Sequence, residues 1–222
     1  MAMADLFDAP IFIFPYSDIR FPGQASDERI LYVAREAKVM RFLRSVFVLL
    51  AAAMLLIVSQ IVLGILTQMA NVELGLWQVV LFAVGIVFGA VGLWWVNTTW
   101  QKSVFIITNR RLTKFIYVTP WNRYNLSVTL DMIEDTGAYS RGYFEALVKI
   151  GTFTARSAAG NREEKYFFVD HVEYAEDLAN YVNKVLFMFK NDVAKLDTFR
   201  PFITEKGAAR EHFIKEHPEF TN

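Results

Sequence analysis

SVFVLLAAAMLLIVSQIVLGILT, residues 45–67, decides how the rest of this chain is read. It contains no charged side chain, and at 1.5 Å per helical residue it exceeds the ~30 Å hydrocarbon core of a bilayer. A second uncharged run, LWQVVLFAVGIVFGAVGLWWV at residues 76–96, repeats the pattern. One such run also suits the core helix of a soluble protein. Two of them in 222 residues leave too little other chain to bury both, so the pair reads as two membrane-crossing helices.

The link between them, residues 68–75 (QMANVELG), is short enough to make the helices antiparallel neighbours with both outer ends on one side. Arg35, Lys38, Arg41 and Arg44 precede the first run, and Lys102, Arg110 and Arg111 follow the second, whereas the link has no Lys or Arg. Basic residues stay on the cytoplasmic side. Both termini are therefore expected in the cytoplasm, with Trp94, Trp95 and Trp100 in an aromatic belt at the inner interface. Within the second run Gly85 and Gly89 form a GxxxG, with Gly92 beyond it. Small residues let another helix backbone approach closely. The partner is either a second copy, another membrane protein, or this chain's own first run, where Ala51, Ala52, Ala53 and Gly64 are also small. Ser59 and Gln60 suggest an interhelical hydrogen bond.

Composition narrows the function. The hydrophobic share of 54% exceeds the roughly 45–50% of soluble domains, and the excess sits in the two runs. A formal net charge of +0 with no clustered basic face argues against nucleic acid as a partner. The absence of cysteine removes disulfides, thiolate metal sites and a cysteine nucleophile. Residues 1–10 carry two aspartates and no basic run, so no cleavable secretory signal is expected.

After residue 100 the period changes from helix to strand. Short β-branched and aromatic runs at 103–108 (SVFIIT) and 112–119 (LTKFIYVT) flank the turn Asn109-Arg110-Arg111. Tyr124, Leu126, Val128 and Leu130 alternate with polar residues. Further strands are expected at 132–139, at 151–157 and at 164–169, with a turn at Ala159-Gly160-Asn161. Asp170 and Glu173 have capping-box spacing. Leu178, Tyr181, Val182, Val185, Leu186 and Phe189 then recur at helical intervals. Six or seven strands and a closing helix are therefore expected.

These strands, SVFIITNRRL, NLSVTLDMIEDTGA, IGTFTARSA and YFFVDHV, resemble the bacterial pleckstrin-homology family of membrane proteins (the DUF304 type). The likeness lies in Thr108, Arg111 and Leu112 of the first hairpin, in Ile133 and Thr136, and in the pair Gly151-Thr152. Upstream, residues 22–44 are similar to the family's Pro-Gly-Glu-x-(Val/Ile)-Leu segment. There, residues 24–28 separate Pro22-Gly23 from Ile30-Leu31 by more than the usual spacing. The resemblance implies a multi-pass protein of the bacterial inner membrane, with a small β-barrel or sandwich capped by a helix, and a basic loop that holds anionic lipid headgroups. Arg110, Arg111, Lys114 and Arg123 are the residues that would form it; juxtamembrane charge alone also accounts for them.

No catalytic set is evident. His171, His212 and His217 are scattered, phosphate loops and nucleophile motifs are missing, and Glu134 and Asp135 are adjacent, so on a strand they point apart. No cofactor and no metal are expected. Residues 141–150 (RGYFEALVKI) interrupt the sheet with Tyr143 and Phe144, either to bind a partner or to pack locally or dip into the membrane interface. The aromatic residues 10–21 suggest packing on the β-domain, and the polar residues 191–222 a solvated tail or peripheral helix.

The expected organisation is an N-terminal cytoplasmic segment (1–44), a helical hairpin (45–98), a pleckstrin-like β-domain with its closing helix (99–190) and the tail (191–222). The leading function is a non-enzymatic, membrane-anchored binding or scaffolding protein whose partners are membrane lipids and a second copy or another membrane protein. The alternative is an accessory subunit of a membrane transport or envelope-stress assembly that uses the hairpin as its interface.

Overall fold

Both apolar runs are helical and extend beyond their uncharged stretches. The computed structural model describes residues 4–7, 12, 16, 19–70, 75–158, 166–204 and 207–218. Helix α1 is Lys38–Ala70 and α2 is Gly75–Lys102; residues 71–74 of the link lie outside the described residues. The chain divides into two units, one made of Met1–Ala37 with Gln101–Asn222, the other of Lys38–Trp100.

The helical unit is long and apolar enough in both helices to cross a membrane. The core helix of a soluble protein would hide its apolar face. Here only 11% of the most apolar window of each helix is buried, and Phe47, Met54, Val79 and Val87 are all well exposed. Hydroxyl groups are satisfied inside their own helices, as a medium without water demands. Ser59 Oγ donates to Leu56 O (2.8 Å) and Thr67 Oγ1 to Leu63 O (2.8 Å). The Ser59 hydroxyl is thus used within its own turn rather than in the interhelical bond expected for it. Trp100 is buried, with Arg41 stacked 4.3 Å from its ring centroid; of the three belt tryptophans, Trp94 is the one half exposed.

The β-rich unit opens with a parallel pair of two-residue strands, β1 (Ala4–Asp5) and β2 (Ile19–Arg20). A four-stranded antiparallel sheet follows in the order β3-β4-β5-β6: β3 Ile30–Ala34, β4 Val104–Thr108, β5 Arg111–Tyr117 and β6 Arg123–Thr129. A three-stranded sheet comes next: β7 Ile133–Tyr139, β8 Ile150–Ser157 and β9 Tyr166–Glu173. The short helix α3 (Tyr143–Val148) joins β7 to β8, and α4 (Ala175–Asn191) packs on β7 and β8. The six described strands after the helices, β4 to β9, and the closing helix match the expected count, but the first sheet also takes a strand from before the helices: β3 pairs with β4 through Ala34↔Phe105 and Val33↔Ile106. The two helices are therefore an insertion between neighbouring strands of one sheet. Strand pairing among the described residues leaves the four-stranded and three-stranded sheets separate, beside the small β1–β2 pair, so the barrel suggested by the resemblance is not closed.

Strands β3 and β4 are buried on both faces, which is why β4 reads as an unbroken apolar run rather than an alternation. Phe105, Ile107, Leu112 and Val128 join Phe153, Phe167, Leu178 and Val182 in the main core, where Phe105 lies 5.6 Å from Phe153 and 5.8 Å from Phe167 between ring centroids. Val104, Ile106 and Phe115 face the other way and are covered by Leu6, Ile19 and Phe21. The N-terminal aromatic segment does pack on the β-domain through its described residues.

Two local expectations change. Asp170 and Glu173 belong to β9, and α4 begins after Tyr174, which takes a left-handed φ of 54° without a side-chain cap. The strand continues four residues past the expected end, with a pairing irregularity near Gly151 and a positive φ at His171 along the way. The chain after Lys190 is also not wholly solvated. Leu196 and Phe199 are buried in the main core, Tyr181 Oη donates to Arg200 O (2.8 Å), and Phe202 stacks edge-on to Tyr32. The charge pattern masks these three apolar anchors; α5 (Ala208–Glu216) beyond them is largely exposed.

Candidate functional site

The basic hairpin is held from within. Thr108 ends β4, and its hydroxyl accepts the N–H groups of Arg110 (3.2 Å) and Arg111 (3.0 Å) while donating to Glu28 Oε1 (2.8 Å). That bond shapes the turn and delivers Arg111 to Glu28. Arg111 Nε reaches Glu28 Oε1 at 2.9 Å and Nη2 reaches Oε2 at 2.8 Å, with a further bond to Gly23 O. Ala25 N–H donates to the same carboxylate at 3.1 Å. Burial raises the affinity of Glu28 for a proton, but the bonds from Arg111, Ala25 and Thr108 outweigh it and hold the carboxyl below the usual Glu range. Arg111 is shifted upward by the same partner. Arg110 pairs with Asp27 on the surface.

Lys114 and Arg123 are committed elsewhere. Lys114 Nζ donates to Phe168 O (2.6 Å) and lies 5.1 Å from the Phe167 centroid, and burial pushes its ammonium below the ordinary lysine range. Arg123 stacks over Phe7 (5.3 Å) and Phe115 (5.5 Å). Nor do the four residues share one face. Arg111 pairs with Thr129 at one end of β5 while Arg123 pairs with Tyr117 at the other, about 20 Å apart at ~3.3 Å per residue. Residues 102–104, where the chain enters β4, adjoin the Tyr117 end. Arg110 and Arg111 thus follow the opposite end of β4 from the residues where the chain enters it. A single headgroup pocket built from Arg110, Arg111, Lys114 and Arg123 is not what the geometry provides.

The glycines of α2 face α1. A Cβ on Gly85 would collide with the Leu56 side chain, one on Gly92 would lie 2.6 Å from Val48 Cγ1, and one on Gly89 would meet Ala52 Cβ at an ordinary 3.5 Å. Gly85, Gly89 and Gly92 thus form a seam against Leu56, Ala52 and Val48, within the chain itself. Of the partners open from the sequence, these contacts are with this chain's own first run.

The other residues behind the family resemblance also serve the fold. Ile133 is buried, and the Thr136 hydroxyl meets Asn183 Oδ1 of α4 at 2.7 Å. Gly151 has no room for a side chain: a Cβ would lie 3.0 Å from Tyr139 O and 3.1 Å from Ala175 Cβ. Thr152 Oγ1 donates to Asp170 Oδ1 at 2.9 Å. Sequence reasoning missed Glu28 as a partner. The signal was present: Glu28-Arg29-Ile30-Leu31 is a Glu-x-Ile-Leu in its own right, so the apparent insertion at 24–28 comes from anchoring the pattern on Pro22-Gly23. His171 sits between two carboxylates, Nδ1 3.1 Å from Glu36 and Nε2 3.5 Å from Glu145. Among the described residues no group of three or more His, Cys, Asp or Glu is placed to hold a metal ion.

No family model and no curated protein match this sequence. Among solved structures, the β-rich chain is similar to a DUF1696 family protein with a pleckstrin-homology domain from Shewanella loihica PV-4. The identity is 18%, the match covers 40% of this chain and 70% of that one, and the TM-score is 0.29.

Proposed function

We propose that this protein is a non-enzymatic, membrane-anchored binding or scaffolding module, with a pleckstrin-like β-unit held at the cytoplasmic face of the bacterial inner membrane. The observation that carries this reading is the insertion of two lipid-compatible helices between β3 and β4 of a single sheet. The β-unit is thereby tethered twice to the same hairpin, through Ala37 and through Gln101. Basic residues outside both helices and none in the link support cytoplasmic termini. The motif residues behind the resemblance are spent on packing, and the reading takes the β-unit as a binding module. The partner classes of this reading are membrane lipids and a second copy or another membrane protein. The transport-assembly alternative loses its main support, since the glycine seam is filled by α1.

Alkaline extraction of membranes from expressing cells, with reporter fusions in the 71–74 link and after Asn222, tests the reading. The protein should stay in the membrane pellet, and the two fusions should report opposite sides. Release by alkali, or both reporters on one side, would overturn it.

A further inference from the structure

The chain leaves the β-rich unit for the apolar helices after Ala37 and re-enters it at Gln101. These two points are fastened together, since Arg35 Nε donates to Gln101 O at 2.9 Å. Two surface elements are fastened to the same place. The β5–β6 hairpin is one: Tyr117 N–H donates to Ser103 Oγ (3.0 Å), and Lys102 Nζ lies 5.5 Å from the Tyr117 ring centroid. Its tip at 118–122 therefore starts beside the first residues of β4. Helix α3 is the other. His171 O accepts from Ala37 N (2.8 Å), and the His171 ring bridges Glu36 to Glu145 of α3.

Both elements turn apolar side chains outward. Val118 is 65% and Trp121 76% exposed at the hairpin tip, and Tyr143 is 83% and Leu147 66% exposed on α3. Scattered exposed apolar residues need no explanation, but large ones on two separate elements at one end of a unit form a patch that does. Trp and Tyr favour the headgroup level of a bilayer, where an apolar ring and a polar edge are both accommodated.

We infer that Val118, Trp121, Tyr143 and Leu147 form an interfacial rim that dips into the headgroup–acyl boundary of the membrane. The inference rests on the membrane reading above. Its occupant is lipid because the chain itself runs from this end of the unit, at Ala37 and at Gln101, into helices whose surface suits hydrocarbon. The rim gives the tethered β-unit a defined orientation on the bilayer. Lys102 and Arg141 stand near it in sequence and add attraction to anionic headgroups.

The chain has no cysteine, so single cysteines report without background. The full-length protein would carry a nitroxide at V118C or Y143C, reconstituted in phosphatidylcholine–phosphatidylglycerol liposomes. V84C in α2 and N109C at the far end of the sheet serve as references, and W121C and L147C replace a primary site whose variant misfolds. Collision with oxygen against a water-soluble nickel chelate then places each label. The rim requires 118 and 143 to resemble 84, oxygen-rich and nickel-poor by several-fold, while 109 is nickel-accessible. Labels at 118 or 143 as nickel-accessible as 109, with 84 in lipid, would overturn the rim and leave the anchoring intact. Protection from both reagents would overturn it in favour of a protein contact. A nickel-accessible 84 would remove the membrane reading and the rim with it.

Discussion

Arg111 grips Glu28 at two points, Nε to Oε1 at 2.9 Å and Nη2 to Oε2 at 2.8 Å, across a sequence gap of 83 residues that contains both apolar helices. The Glu28 side chain is almost wholly buried while that of Arg111 keeps a quarter of its surface. The contact fastens the residues just before β3 to the start of β5, and so holds the sheet together around its insertion.

Removing one partner leaves the other uncompensated, a loss on the order of 3 kcal/mol for a buried pair. Arg111→Ala and Glu28→Gln should each lower stability by about that much, and the double variant should lose far less than the sum. Arg111→Lys should not rescue, because an ammonium lacks the two-pronged geometry. Urea unfolding of the four proteins in detergent, followed by circular dichroism, checks the cycle; additivity would show that the pair is not coupled.

The same pair sets a pH dependence. The folded state depresses the Glu28 carboxyl relative to the unfolded chain. Its contribution is therefore full above the ordinary Glu range near 4.5 and is lost as pH falls through the lower folded value. The difference in melting temperature between wild type and Glu28→Gln should be largest at neutral pH and shrink below about pH 4. A difference that grows on acidification would contradict the assignment.

Replacing Arg110 by Ala should leave both membrane association and stability nearly unchanged, within about 0.5 kcal/mol, as for an exposed pair. Flotation of the full-length protein with anionic liposomes checks this. A loss of binding would restore the basic hairpin as a headgroup site.

On the helical seam, Gly89→Ala should be tolerated, whereas Gly85→Ala and Gly92→Ala overpack against Leu56 and Val48 and should cost about 1–3 kcal/mol. The Leu56 side chain is the obstacle at Gly85, so Leu56→Ala should recover part of the loss. Thermal denaturation in detergent reads all four, and equal tolerance at 85, 89 and 92 would place the seam elsewhere.

Phe199 supports the core from the chain's polar end. Phe199→Ala should destabilise by about 3 kcal/mol, and Lys215→Ala on the exposed α5 should do nothing measurable. Limited proteolysis and denaturant midpoints separate these outcomes; an unaffected Phe199→Ala protein would mean the segment is not part of the folded unit.

The helices and most strands were legible because their signals are local. Uncharged runs of this length, the strand-period segments from 103 on and the stripe from Leu178 to Phe189 each carry their own periodicity. What the sequence alone determined is therefore the inventory: two lipid-compatible helices, a run of short strands and a closing amphipathic helix. Tertiary structure decided the rest. Ile30–Ala34 is five residues long and separated from β4 by the whole helical insertion, so its pairing depends on a contact no window can contain. Whether Arg111 meets a lipid or a carboxylate depends on Glu28 being brought back over that same insertion. Likewise, Gly85 is equally suited to a foreign helix and to Leu56, and only the packing of α1 chooses between them. Periodicity reports which face of an element is apolar, whereas the partner of that face is set by long-range closure of the chain.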